Sequence, residues 1–84
     1  MEIGLDRLEP GQRGPVLRLE LPPSRAAAPA RLGLIPGAGI ACLRRVPLGD
    51  PAVYRFGGLT AAMRRGDAAG IIVAPERADL GSSG

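Results

Sequence analysis

The sequence lacks several residue types on which catalysis and metal binding usually depend. It has no histidine, no lysine and no tryptophan, and Cys42 is its single cysteine. Without imidazole, proton transfer would fall to the eight carboxylates or to Tyr54. One cysteine excludes an internal disulfide and a cysteine-rich zinc site. We therefore expect no catalytic residues, no metal ligands and no bound cofactor in this chain.

Aromatic residues and long apolar runs are also scarce. Tyr54 and Phe56 are the only aromatic side chains, so a core must be built mainly from leucine, isoleucine, valine and alanine. No apolar run approaches the roughly 20 residues that cross a bilayer. Residues 1–6 lack the basic start and apolar centre of a signal peptide. These absences predict a cytoplasmic protein that does not span a membrane.

Turn-forming residues and arginine are abundant instead. Nine prolines and thirteen glycines among 84 residues indicate many turns and short elements, which disfavours a helical bundle. Every one of the basic residues is arginine, and the formal net charge is +3. That charge is a weak indication of an acidic partner.

Alternating apolar residues predict five short strands. In the first, between residues 12 and 21, three leucines alternate with Arg18 and Glu20, which is the period of a half-buried strand. The apolar face of this strand carries Leu17, Leu19 and Leu21. Further strands are expected at residues 38–46, 52–56, 59–64 and 71–73. The pair Gly57-Gly58 fits a two-residue hairpin loop between the third and fourth strands.

An alanine-rich stretch between the first two strands predicts one short helix. Ser24 is a plausible N-cap for it, and Gly33 a C-terminal cap. Pro29 falls inside the stretch, and an interior proline costs a helix about 3 kcal/mol. We therefore expect a helix of about one turn that begins near Pro29.

These elements predict a small all-β barrel with one short helix in the first connection. Closure of the sheet is the usual way for so small a β protein to protect its edges. The barrel is assigned to residues 1–75 and a flexible tail to residues 76–84. The inward strand positions predict one shared core of Ile40, Cys42, Tyr54, Phe56, Met63, Ile71 and Val73.

Two turn motifs flank the second strand. The first is Leu32-Gly33-Leu34-Ile35-Pro36-Gly37, and the second is Pro47-Leu48-Gly49-Asp50-Pro51. Glycine accepts positive φ and proline presets φ for a turn. Together the motifs resemble the FeoA family, in which a short helix ends in the first motif and the second leads into the next strand. The resemblance spans about residues 5–74, although the family's helix usually lacks a proline.

The resemblance implies an SH3-like five-stranded barrel and a role in bacterial ferrous iron uptake. The protein would be a non-enzymatic accessory factor, with Fe²⁺ as the cargo of the system. Its partner would be the cytoplasmic GTPase region of the membrane transporter FeoB, whose assembly or nucleotide cycle it would modulate. A weak homo-oligomer is compatible with this role.

A second interpretation belongs to another class of protein. A related barrel occurs in DtxR-like metal-dependent transcription regulators, and small barrels also serve as nucleic-acid-associated modules. Those regulators carry a helix-turn-helix before the barrel, whereas only a short lead precedes the first strand here. Nucleic-acid barrels add aromatic stacking platforms, but both aromatic residues here are predicted to face inward. We therefore expect a stand-alone barrel without direct nucleic-acid contacts.

The residues expected to contact a partner lie in the first turn motif and at a strand end. A small barrel has little interior, so part of the turn stays exposed as an apolar anchor, with Leu32 and Leu34 more readily buried than Ile35. Arginines at the strand end would steer an acidic partner, although solvated strand ends remain the alternative. The predicted contacts are Leu34, Ile35, Pro36, Arg44 and Arg45. Arg64-Arg65 is a second pair of this kind, whereas Asp50 and Cys42 are assigned to turn and core.

Overall fold

Six strands form one antiparallel sheet in the computed structural model, which describes residues 1–46 and 50–76. The strands follow each other across the sheet in the order β1-β6-β2-β3-β4-β5. Their bounds are Ile3–Gly4 (β1), Arg13–Leu19 (β2), Gly39–Arg45 (β3), Ala52–Phe56 (β4), Leu59–Met63 (β5) and Ile71–Val73 (β6). The helices are a 3₁₀ helix at Leu5–Arg7, α1 at Pro23–Arg31 and α2 at Arg65–Ala68.

The predicted all-β architecture, with a helix in the first connection, is confirmed. The sheet has one strand more than predicted, because β1 pairs Ile3 with Val73 and Gly4 with Ile72. Two residues are too few to show an alternating pattern in the sequence. Two predicted features lie partly outside the described residues, namely the Pro47–Pro51 turn at residues 47–49 and the tail at residues 77–84. Within the described residues, no helix is long and apolar enough to cross a membrane.

Helix α1 is longer than the sequence predicted. It begins at Pro23 and not near Pro29, because proline at the first helical position gives up only an N–H that has no partner there. Its first bonds run from the N–H groups of Arg25 and Ala26 to the carbonyl of Pro22, at 2.8 and 2.9 Å. Pro22 therefore replaces Ser24 as the N-cap. Pro29 falls in the last turn, where its carbonyl still accepts two hydrogen bonds.

A bulge in β2 changes which residues face the core. Val16 pairs with Val73, but Arg18 pairs with Ile72, so Leu17 is an extra residue between them. Val16 is consequently buried, and Leu19 packs against the core, whereas Leu17 does not. The predicted common face of the three leucines is wrong for Leu17, because a bulge shifts the alternation by one residue.

A second bulge, in β3, redirects the two consecutive arginines. Cys42 pairs with Tyr54, while Arg44 pairs with Val53, so Leu43 is the extra residue. Cross-strand partners share a face of the sheet. Arg45 pairs with buried Ala52 and therefore lies on the core side, at the end of the barrel.

One core fills the barrel. Six of the seven predicted members are buried, and the seventh, Met63, is partly buried and packs against them. Leu5, Leu8 and Leu34 are also buried but come from a 3₁₀ helix and from loops, where no alternation marks them. The buried residues are Leu5, Leu8, Val16, Leu34, Ile40, Cys42, Ala52, Tyr54, Phe56, Ala68, Ile71 and Val73.

The 3₁₀ helix closes one end of the barrel through its carbonyl groups. The Tyr54 hydroxyl donates to the carbonyl of Leu5 at 3.3 Å. The Arg45 guanidinium donates to the carbonyls of Asp6 and Leu8 at 2.8 and 2.6 Å. Carbonyls at a helix end need outside donors, and a charged donor forms the stronger bonds. Arg45 and Tyr54 thereby hold Leu5 and Leu8 in the core.

We expect Arg45→Met to lower the free energy of unfolding by about 2 kcal/mol, because the carbonyls of Asp6 and Leu8 lose a charged donor. Arg44→Met is the matched control and should change it by less than about 0.5 kcal/mol, because Arg44 is exposed. Urea unfolding of both variants measures the difference. Equal losses would show that Arg45 does not hold the 3₁₀ helix.

Burial raises the pKa of Tyr54 to about 12, whereas a tyrosine in the unfolded chain titrates near 10. Between about pH 10 and pH 12, the folded state therefore keeps the hydroxyl proton of Tyr54, whereas the unfolded state releases it. The contribution of Tyr54 is complete below about pH 10 and is lost as the pH rises towards 12. Wild type should exceed Tyr54→Phe by about 1 kcal/mol at pH 8. This advantage should disappear by pH 12 in unfolding measurements; a constant difference would contradict it.

Candidate interaction surface

The turn that follows α1 is fixed by backbone hydrogen bonds at the end of the helix. Gly33 has a φ of 102°, a value that favours glycine. Its N–H donates to the carbonyl of Ala30 at 3.0 Å, and the N–H of Leu34 donates to that of Pro29 at 3.0 Å. This pair of bonds is the Schellman motif, which often brings an apolar residue back against the last turn. Leu34 is completely buried as a result.

The chain then reverses again within the same motif. The N–H of Ala38 donates to the carbonyl of Ile35 at 2.9 Å, with Pro36 and Gly37 at the two central positions. Gly37 has a φ of 93°, which is typical of a type II turn with proline before it. The N–H of Gly37 also donates to the carbonyl of Val16 at 2.7 Å. The turn is therefore anchored to β2 and presents its side chains from a fixed position.

The exposed side chains of Leu32, Ile35 and Pro36 form a surface that we call the turn ridge. Leu32 and Ile35 are 50% and 51% exposed, and Pro36 is exposed as well. Leu34 lies between Leu32 and Ile35 in the sequence, but its side chain is completely buried and cannot contact a partner. Of the predicted apolar contacts, Ile35 and Pro36 are thus accessible. Leu32, which was expected to be buried more readily than Ile35, is equally exposed.

The two arginines at the end of β3 do not act as a pair. The bulge places Arg44 on the outer face, where it is exposed, and turns Arg45 towards the 3₁₀ helix. Arg44 also lies five residues beyond Gly39 along β3, roughly 17 Å at the usual rise of a strand. The turn ridge and Arg44 consequently lie near opposite ends of β3. Their predicted roles in binding remain predictions.

Arg45 and Arg65 both line one surface hollow. The hollow has a volume of about 500 Å³. Its lining residues are Asp6, Arg7, Glu9, Arg45 and Arg65. Asp50 contributes to the same region, because its carboxylate accepts the backbone N–H of Arg65 at 2.8 Å and so caps α2. Asp50 therefore has a structural role at the start of α2, whereas its predicted contacts with its own turn lie partly outside the described residues.

Arg55 was missed in the sequence and lies beside the turn. It pairs with Ala41 on β3 and is exposed on the outer face of β4. A groove of about 420 Å³ runs past it, with Gly37 and Gly58 among its lining residues. The alternation of β4 indicated only that Arg55 points outward. Its place beside the turn depends on the register between β3 and β4, which the sequence does not specify.

The arginines without an acidic partner make the surface positive. Ion pairs join Arg13 to Glu76, Arg18 to both Glu2 and Glu20, and Arg25 to Asp67. Arg45 uses its guanidinium for backbone carbonyls. In the part of the chain that the structure describes, the arginines outside these contacts are Arg7, Arg31, Arg44, Arg55, Arg64 and Arg65. Such a surface favours acidic partners.

Cys42 has the surroundings of a core residue. Its side chain is buried beside the sheet partner Tyr54, and burial raises the pKa of the thiol. A raised pKa disfavours the thiolate, which is the reactive and metal-binding form. Over residues 1–46 and 50–76, no three side chains among histidine, cysteine, aspartate and glutamate lie close enough to hold a metal ion.

The comparison with protein families agrees with the fold and the turn motifs. A model of the FeoA domain matches residues 3–75. The chain belongs to the FeoA domain family. This family serves ferrous iron transport, and the match confirms the resemblance seen in the two motifs. No curated protein sequence matches the chain.

Solved structures share the same fold. An iron uptake regulatory protein, FeoA, is 28% identical with a TM-score of 0.82, over 90% of this chain and 100% of that chain. FeoA of Stenotrophomonas maltophilia, a prokaryotic SH3 domain protein solved with zinc, is 23% identical with a TM-score of 0.77, over 92% and 96%. A manganese-dependent transcriptional repressor is 18% identical with a TM-score of 0.81, over 89% of this chain and 41% of the repressor. The last two likenesses show the SH3-like fold alone.

We expect the purified protein to bind ferrous iron no more tightly than a generic acidic surface does. It lacks imidazole, and its thiol is buried with a raised pKa. Anaerobic calorimetry with Fe²⁺ measures the affinity, with Cys42→Ser as the control. A stoichiometric micromolar site that Cys42→Ser abolishes would contradict this expectation.

Proposed function

We propose that this member of the FeoA domain family is a non-enzymatic accessory factor that acts in the cytoplasm on the GTPase region of the ferrous iron transporter FeoB. The observation that carries the proposal is the turn ridge, which keeps Ile35 51% exposed on a backbone fixed at both ends. Membership of the FeoA domain family links the protein to ferrous iron transport. The contact would adjust the assembly or the nucleotide cycle of the transporter.

A fixed apolar side chain is well suited to be the centre of a small interface. Binding energy concentrates in a few side chains that fill pockets on the partner. Ile35 loses little freedom on binding, because Pro36 and the hydrogen bond from Gly37 to Val16 already hold its backbone. The proposed anchor is therefore Ile35, with Leu32 and Pro36 around it.

Charge would guide the encounter. Arg44 is exposed and has no acidic partner among the described residues, so it is free to face a carboxylate of the GTPase region. Roughly 17 Å of β3 separates it from the turn. A standard interface of about 800 Å² per partner is wide enough to include both. The affinity should then weaken as salt rises.

The proposal is tested by measuring binding of the soluble GTPase region to immobilised variants of this protein. Ile35→Ser should weaken binding at least about tenfold, because it removes the apolar anchor. Leu59→Ser is the matched control, since Leu59 is similarly exposed, at 44%, but lies outside the turn ridge. Arg44→Glu should weaken binding mainly at low salt.

Arg45 is left unchanged in this experiment, because its loss would disturb the 3₁₀ helix. Each variant is checked for its folded state by circular dichroism. If Ile35→Ser and Arg44→Glu both bind as wild type does, the proposed surface is wrong. If wild type itself does not bind, the proposed partner is wrong.

A role in nucleic-acid binding has less support. The likeness to the manganese-dependent repressor is one of fold, and it covers 41% of that protein. Tyr54 and Phe56, the two aromatic residues of the chain, are 1% and 2% exposed. Neither offers a surface on which a base could stack. The positive surface alone fits an acidic protein equally well.

A further inference from the structure

Strand β5 forms one edge of the sheet and has β4 as its neighbour. The loop between them has two residues, Gly57 and Gly58, with φ of 56° and 81°, which is typical of a type I′ turn. The residues that close such a loop, Phe56 and Leu59, exchange backbone hydrogen bonds with each other. The bonding then alternates along the ladder.

This alternation leaves the backbone of Thr60 and Ala62 unpaired. Ala61 and Met63 point their N–H and C=O groups towards β4, so those of Thr60 and Ala62 point away from it. Nothing in the described residues donates to or accepts from these outward groups, and both residues are exposed. The edge therefore offers the N–H and C=O groups of Thr60 and Ala62, which are spaced as a neighbouring strand would need them.

The edge also lacks the usual protection against another strand. Natural edges carry charges, prolines, bulges or a covering element. Leu59–Met63 has no charged residue, no proline and no bulge. Helix α1 lies near one end of it, but without closing over it, because a crevice of about 260 Å³ separates Met63 from Pro29 and Leu32. That crevice is open to an apolar side chain.

The charged residues on the outer face of the strands next to this edge are all arginines. Strands β3, β4 and β5 contain no acidic residue. Arg55 lies directly opposite Thr60 on that face, and Arg44 is opposite Val53, which in turn is opposite Ala62. Every outer position of β5 therefore has an arginine in its row of the sheet. An acidic side chain on an added strand would lie two strands, about 10 Å, from Arg55, a gap that two long side chains can span. Arg44 lies three strands, about 14 Å, away and would add a longer-range attraction.

We propose that the β5 edge binds an extended acidic segment of a partner protein, which adds to the sheet as a seventh strand. Its backbone bonds to Thr60 and Ala62, its acidic side chains alternate on the side of Arg55 and Arg44, and an apolar side chain enters the crevice beside Met63. Peptides bind other sheet edges in this manner, with backbone bonds giving affinity and pockets giving specificity. The inference does not depend on the identity of the transporter partner.

A second copy of the chain fits the same edge less well. Two β5 strands could pair around Ala61, with Thr60 of one copy opposite Ala62 of the other. That arrangement would place two positive outer faces side by side, and the strands involved carry no acidic residue to compensate. Charge complementarity therefore favours an acidic segment over a second copy.

The free protein gives the first test. In amide hydrogen exchange by NMR, Thr60 and Ala62 should exchange at least tenfold faster than Ala61 and Met63, because only the latter bond to β4. Similar rates at all four positions would overturn the proposed edge.

The binding test uses a synthetic eight-residue peptide in which glutamate and valine alternate. Its titration should shift the Thr60 and Ala62 amides most and slow their exchange, and a peptide with lysine for glutamate should bind at least tenfold more weakly. Largest shifts elsewhere, or equal binding of the two peptides, would overturn the proposal.

Two variants complete the test. Ala62→Pro removes one outward N–H without touching the β4 ladder and should weaken peptide binding at least tenfold, with Ala62→Val as the control that keeps the N–H. If Ala62→Pro fails to fold, Ala62→Glu places a repelling charge on the same face and should act similarly. Unchanged binding in a folded variant overturns the proposal. So does a wild-type dimer in sedimentation that Ala62→Pro converts to monomer, because the occupant is then a second copy.

Discussion

The hydrogen bonds from Arg45 and Tyr54 to the 3₁₀ helix are the interaction on which much of this barrel depends. A chain with two aromatic residues has little material for a core, and Leu5 and Leu8 supply part of it from outside the main strands. Their segment exposes carbonyls at the barrel end, which need donors. Arg45 provides the donor for the carbonyls of Asp6 and Leu8. Tyr54, on the adjacent strand, adds a second donor to the Leu5 carbonyl, which also accepts the N–H of Leu8.

The bulge in β3 links this structural requirement to the surface. Without the extra residue Leu43, Arg44 would share the inner face with Cys42, and Arg45 would point outward. The bulge thus assigns one arginine to the fold and leaves the other on the outer face. The helix-ending turn makes a similar division, since it buries Leu34 and exposes Ile35. In both places, neighbouring residues of similar chemistry have different roles.

Local patterns in the sequence were sufficient for the fold class, for most of the core and for part of the surface. Alternation placed Tyr54 and Phe56 in the core, and Gly33 and Gly37 marked turns that the structure contains. Alternation failed at Leu17, and the sequence did not show which of Arg44 and Arg45 faces outward, because a bulge depends on pairing with another strand and not on local composition. The unpaired edge of β5 likewise follows from strand order, which no single segment of sequence specifies.

We propose that the turn after α1 holds Ile35 outward, where it contacts the GTPase region of FeoB. Site-specific photo-crosslinking tests it most directly, with a photoreactive residue at position 35 and, as the control, at position 59 on the hairpin of β5. We expect a crosslink to the GTPase region from position 35 and little or none from position 59. A crosslink from position 59 with none from position 35 would contradict it.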